Sequence, residues 1–80
     1  MKPIRFDRHA RRRMLQRSIT PAEAEGVVRT PERVEPSIKD RQNAFGPGRH
    51  GTIRVTFRET ADEILVVTVV RQSVGGGGQS

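Results

Sequence analysis

The run "ILVVTVVR", residues 64–71, constrains this chain more than any other stretch, because it offers apolar side chains to both faces of an extended backbone. Such a run is expected of a central strand, flanked on each side by others. Just upstream, "TIRVTFRE" (52–59) alternates: Ile53, Val55 and Phe57 fall on one face, and Thr52, Arg54, Thr56 and Arg58 on the other. One face of that strand is expected to meet helices, and the other to meet solvent or a ligand. "TADE" (60–63) supplies the turn between the two runs.

The helices are legible from their ends. In "SITPAE" (18–23), Thr20 is placed to cap a helix, Pro21 occupies the first helical position, and Glu23 follows three residues after the cap to complete a capping box. Ala24, Val27 and Val28 keep the i, i+3, i+4 pattern, and Thr30 before Pro31 ends it. An earlier helix is predicted from an Asp7 cap to about Arg17, with Ala10 and Met14 four apart on its apolar side. At 100° per residue, His9, Arg13 and Gln16 form a stripe beside that side, Arg11 lies elsewhere, and Arg17 is expected at the core boundary. "PIRF" (3–6) reads as a first strand and "RVEPSI" (33–38) as a strand weakened by Pro36, either an edge strand or a bulged one. "AFGPGRHG" (44–51) reads as a turn-rich loop.

The expected class is therefore α+β in the order β-α-α-β-β-β, a two-helix hairpin packed on a small, mainly antiparallel sheet. A chain of 80 residues supports one small core, so a single domain is expected over residues 1–73, with a flexible glycine-rich tail at 74–80.

Fifteen Lys and Arg against nine Asp and Glu give a formal net charge of +6, which suggests RNA or another polyanion as partner. The absence of cysteine excludes disulfides, thiolate catalysis and thiol-based zinc sites. It also fits a reducing, cytoplasmic setting. No stretch approaches the length of apolar sequence that a membrane span requires, and no secretory h-region follows the charged start.

Site chemistry narrows to arginine and histidine. "GPGRHGT" has the glycine spacing of a P-loop but lacks the lysine and precedes a strand rather than a helix, so it is rejected as one. Arg49 and His50 within it could still touch a backbone phosphate. His9, His50 and nearby acids show no metal-ligand spacing, so neither a metal nor a cofactor is expected. With no Tyr or Trp, and with Phe6 and Phe57 assigned to the core, only Phe45 in the loop is free to stack on a base. Phosphate contact by arginine remains, from Arg12, Arg49, Arg54 and Arg71 together with His50. His9, Arg13 and Arg17 form the candidate catalytic group. A neutral His9 would take the proton of a ribose 2′-hydroxyl, arginine would stabilise the phosphorane, and His50 or water would protonate the leaving oxygen.

The segment "FDRHARRRMLQRSITPAEAEGVVRTPERV" resembles the N-terminal half of the bacterial domain of unknown function 4258 family. The likeness is carried by His9, Ala10, Arg13, Met14, Arg17, Ile19, Thr20 and Pro31. "IRVTFRETADEILVVTVVR" is similar to that family's closing hairpin, so the resemblance spans about residues 4–71. It implies a RelE/ParE toxin-like fold, a wider group in which some members cleave RNA and others inhibit gyrase. Ser18 departs from the pattern where glycine is common, and no tyrosine lies near the end of the last strand.

Three readings follow. The first is a small toxin-like RNA-binding domain, for which metal-independent ribonuclease activity is one open outcome. The second is a non-catalytic module docking an acidic partner such as an antitoxin. In the third the motif is structural, with Arg13 and Arg17 paired to Glu23, Glu25 or Asp62.

Overall fold

The computed structural model describes residues 2–72, so the glycine-rich stretch read as a tail lies outside the described residues. Along the chain run β1 (Ile4–Phe6), α1 (Arg8–Arg17), α2 (Pro21–Arg29), β2 (Arg33–Pro36), β3 (Arg41–Gly48), β4 (Gly51–Glu59) and β5 (Ile64–Arg71). The α+β class is as expected, with one strand more than the β-α-α-β-β-β order. All five strands join one open sheet in the order β1-β5-β4-β3-β2. β1 runs parallel to β5, and every other neighbouring pair is antiparallel. β5 thus has a strand on each side, as its doubly apolar sequence demands.

The additional strand corrects the reading of residues 44–51 as a loop. They form the second half of β3, the turn at Arg49 and His50, and the first residue of β4. Gly46 and Pro47 look like turn residues in isolation, yet each has a tertiary reason to be extended. A Cβ on Gly46 would meet Val27 Cγ2 of α2 at 3.2 Å, so glycine lets helix and strand approach closely. Pro47 lies past the part of β3, Gln42 to Phe45, that pairs with β2, and its missing N–H is not needed on that side.

The helix ends follow from side-chain chemistry. Asp7 Oδ1 accepts from the Ala10 N–H at 2.8 Å and starts α1. At the other end Ser18 turns into the left-handed region, φ 56° and ψ 42°, and the Ile19 N–H donates to the Met14 carbonyl at 2.9 Å. That is a Schellman ending, and the buried Ile19 and Met14 supply its apolar contact. The capping box of α2 is complete: the Glu23 N–H donates to Thr20 Oγ1 at 3.1 Å, and the Thr20 N–H donates to Glu23 Oε1 at 3.0 Å.

Both helices lie on one face of the sheet, α1 against β5 and β1, α2 against β3 and β4. Ala10, Met14, Ile19, Ala24 and Val27 meet Ala44, Ile53, Val55, Phe57, Val66 and Val69 there. Val66 and Val69 are three apart, a spacing that would put them on opposite faces of a regular strand. A bulge resolves this: Thr56 pairs with Thr68 and Phe57 with Val66, which skips Val67 and turns both valines toward the helices.

Candidate nucleic-acid interface

The expected site residues divide into three places. On α1, whose sequence holds five arginines and no acid, Arg13 Nε donates to His9 Nε2 at 3.4 Å. This engages the lone pair with which a neutral imidazole takes a proton. Arg17 does not join that pair. It is eight residues from His9, about 12 Å along the helix, and it is exposed rather than at the core boundary. Arg12 points away from the Ala10–Met14 side and is also exposed. The ion pairs of the described residues are Lys2–Glu59, Arg5–Glu63 and Arg33–Glu35, so Arg13 and Arg17 have no such tie to Glu23, Glu25 or Asp62.

The second place is one end of the molecule, where α1 stops and α2 starts. Arg71 pairs across the sheet with Ile53, which turns its side chain toward the helices, and its guanidinium donates to the Arg17 carbonyl at 2.5 Å. A cation on the terminal carbonyls of α1 satisfies the negative end of the helix, so Arg71 has a local role here. Arg49 and His50 form the exposed β3–β4 turn beside it. Glu23 reaches across from α2, its Oε2 accepting the Arg49 N–H at 2.7 Å. The hydrogen bond from the Thr20 backbone, then that from Arg49, holds the Glu23 carboxyl below its ordinary value of 4.5. Sequence reasoning gives Glu23 the cap and, in the structural reading, an ion pair with Arg13 or Arg17; its bond to the turn bridges 26 residues, beyond any local pattern.

The third place is the sheet face turned away from the helices. Residues opposite one another in a ladder share a face, and here they form three rows. Arg33, Phe45, Arg54 and Val70 make the first; Glu35, Asn43, Thr56 and Thr68 the second; Arg41, Arg58, Leu65 and Arg5 the third. In the middle row Thr56 Oγ1 donates to Asn43 Oδ1 at 2.6 Å, which satisfies a buried hydroxyl and stiffens the face. Five arginines from four strands therefore stand on this face. Arg33 is paired with Glu35 at 2.9 Å and Arg5 with Glu63 at 3.2 Å, whereas Arg41, Arg54 and Arg58 have no carboxylate partner among the described residues. Arg41 stands directly opposite Arg58. Like charges facing each other across a ladder weaken a fold, and an anion between them would relieve the repulsion.

Arg54 alone among the sequence-predicted residues lies on this face, with the helix layer and its His9–Arg13 pair on the other side of the sheet. Arg5, Arg33, Arg41 and Arg58 are not among the expected site residues: the alternation of β4 puts Arg58 on the face of Arg54, and only the five-strand register brings the other three there. Phe45 is corrected as well: it is 6% exposed, outside the helix-side core, and roofed by Arg33, whose Cζ sits 4.2 Å from the ring centroid. Among the described residues no three His, Asp or Glu side chains gather as a metal site would need, and no helix is long and apolar enough to cross a membrane. No family model, curated protein or solved structure matches the chain.

Proposed function

We propose that the chain is a small RNA-binding domain of the RelE/ParE toxin-like kind, in keeping with its resemblance to the domain of unknown function 4258 family, and that it takes the phosphate backbone on the open face of its sheet. The observation that carries this reading is the set of three arginines, Arg41, Arg54 and Arg58, without carboxylate partners on a face where the buried Thr56 hydroxyl is already hydrogen-bonded to Asn43. Arginine at such positions binds phosphate by charge-assisted, often bidentate hydrogen bonds, with little dependence on base sequence. Affinity for a mixed-sequence RNA oligonucleotide tests it. Arg54→Ala is expected to weaken binding several-fold while Arg12→Ala, on the outer side of α1, changes it little; the reverse ranking refutes the placement.

RNA cleavage is a separate expectation from this phosphate surface: it falls to His9 with Arg13, the histidine–cation contact on α1, and so needs a strand that also reaches the helix side of the sheet. Arg13 would have to release the His9 Nε2 lone pair before that atom could accept a proton. Metal-free incubation with RNA beside His9→Ala decides the matter: cleavage lost in the variant, leaving 2′,3′-cyclic ends, makes His9 an acid or base, and intact RNA leaves a binding domain.

One observation favours the second reading, a module docking an acidic partner such as an antitoxin. Leu15 is 83% exposed, beside an apolar groove of about 390 Å³ lined by Phe6, Arg11, Met14, Leu15, Ile19 and Pro21. With the acid-free α1 as its wall, the groove fits a segment with apolar side chains and flanking carboxylates. Leu15→Asp would abolish such docking and leave RNA affinity unaltered; a co-purifying acidic partner retained by Leu15→Asp removes this reading.

A further inference from the structure

Burying Phe45 removes it as a stacking surface and creates another directly above it. The guanidinium of Arg33 lies over the ring, and its Nε is tied to Glu35 Oε2 at 2.9 Å, two residues along the same edge strand and on the same face. An aromatic ring beneath and a carboxylate at one edge fix the plane of a group that is otherwise among the most mobile on a protein surface. The side chain nevertheless stays 58% exposed, which leaves the guanidinium open to water on the side away from the ring. In the same row Arg54 stands directly opposite Phe45, and its Nε is buried with no hydrogen-bond partner among the described residues. A pre-oriented planar cation in the same row as an arginine without a carboxylate partner is an arrangement suited to a ligand that pairs a flat π-system with an anion.

We infer that the Arg33–Phe45 stack is a nucleobase platform: an unpaired base of single-stranded RNA lies on the outer surface of the Arg33 guanidinium, with its flanking phosphates on Arg54 and on the Arg41–Arg58 pair. The inference rests on the reading of the open sheet face as the RNA surface and adds to it a substrate class. Guanidinium planes and aromatic rings accept any base by stacking, so the platform selects for strandedness rather than sequence. Bases inside a duplex are stacked on each other and cannot reach it. Glu35 serves as the positioning residue, since it holds the plane of Arg33 without touching RNA.

The test is fluorescence anisotropy of the full chain with three labelled probes of equal length: single-stranded oligoadenylate, its duplex with oligouridylate, and an abasic ribose-phosphate spacer oligomer that keeps the charges and lacks the bases. Oligoadenylate is expected to bind about five- to tenfold tighter than the spacer, the lower end of what stacking of one base supplies and suited to an exposed platform, and tighter than the duplex. Arg33→Lys, which keeps the charge and loses the plane, is expected to bring oligoadenylate down to the spacer's affinity and leave the spacer unchanged. The site is an exposed edge strand, and an unaltered circular dichroism spectrum confirms that the variant folds. If spacer and oligoadenylate bind alike, the platform is wrong while the phosphate-binding reading stands. If no probe binds even at low salt, both fall.

Discussion

Ser18 gives the sharpest test of how the α1–α2 corner is built. Its backbone lies in the left-handed region, φ 56° and ψ 42°, where a Cβ crowds the neighbouring carbonyl. For an L-residue the strain is about 1–2 kcal/mol. Glycine removes it but gives up additional backbone freedom on folding, an opposing term of about 0.5–1 kcal/mol. The Schellman bonds use backbone groups only, so they survive the change. Ser18→Gly is therefore expected to stabilise the protein by about 0.5–1 kcal/mol, which corresponds to a rise of roughly 2–8 °C in Tm for a domain of this size. Ser18→Ala keeps the crowded Cβ and should stay within about 0.5 kcal/mol of the wild type. Urea unfolding of the three proteins at fixed pH reads both differences. If Ser18→Gly is no more stable than wild type while Ser18→Ala is destabilised, the serine hydroxyl holds the corner and the backbone argument is refuted.

Three further outcomes follow from the packing and the Glu23 bridge. The Glu23 carboxyl is depressed below 4.5 in the folded state, so its contribution is complete above that value and is lost as pH falls through the lower folded value. Glu23→Gln should therefore be less stable than wild type at pH 7, with the gap closing in acid; a gap that widens in acid contradicts the bridge. Ile53→Ala empties a site that is 1% exposed and should cost about 2–5 kcal/mol in urea unfolding, whereas Leu15→Ala, at 83% exposure, should change stability by less than about 0.5 kcal/mol. Gly48→Ala drives a Cβ into the Ile53 side chain and should also destabilise markedly; wild-type stability there would mean that the hairpin end is looser than its register implies.

Much of the fold could be read because its signals are local. Asp7, Thr20 and Glu23 announce helix starts through bonds that span three residues, β4 announces itself through side-chain period, and β5 through a run apolar on both faces. β3 was lost because Gly46 and Pro47 are extended for reasons set by Val27 in α2 and by the short reach of β2, neither of which is local. The candidate site divides in the same way. The His9–Arg13 contact is an i, i+4 spacing and was visible in the sequence. The arginine face draws Arg5, Arg33, Arg41, Arg54 and Arg58 from four strands, and only the sheet register, including the skipped Val67, places them together. Arg71 was counted with the phosphate ligands on charge alone, yet its strand position turns it to the helix side, where it meets the Arg17 carbonyl.

The central claim, that RNA phosphates sit on the open sheet face, is met most directly by the salt dependence of RNA affinity in the wild type and in a variant with Arg41, Arg54 and Arg58 all changed to Gln. Each phosphate neutralised on a single strand contributes about 0.7 to the slope of log affinity against log salt. Loss of three such contacts should flatten that slope by about 2, with the fold intact by circular dichroism. An unchanged slope in the triple variant, together with tight binding by the wild type, would place the RNA elsewhere and contradict the account.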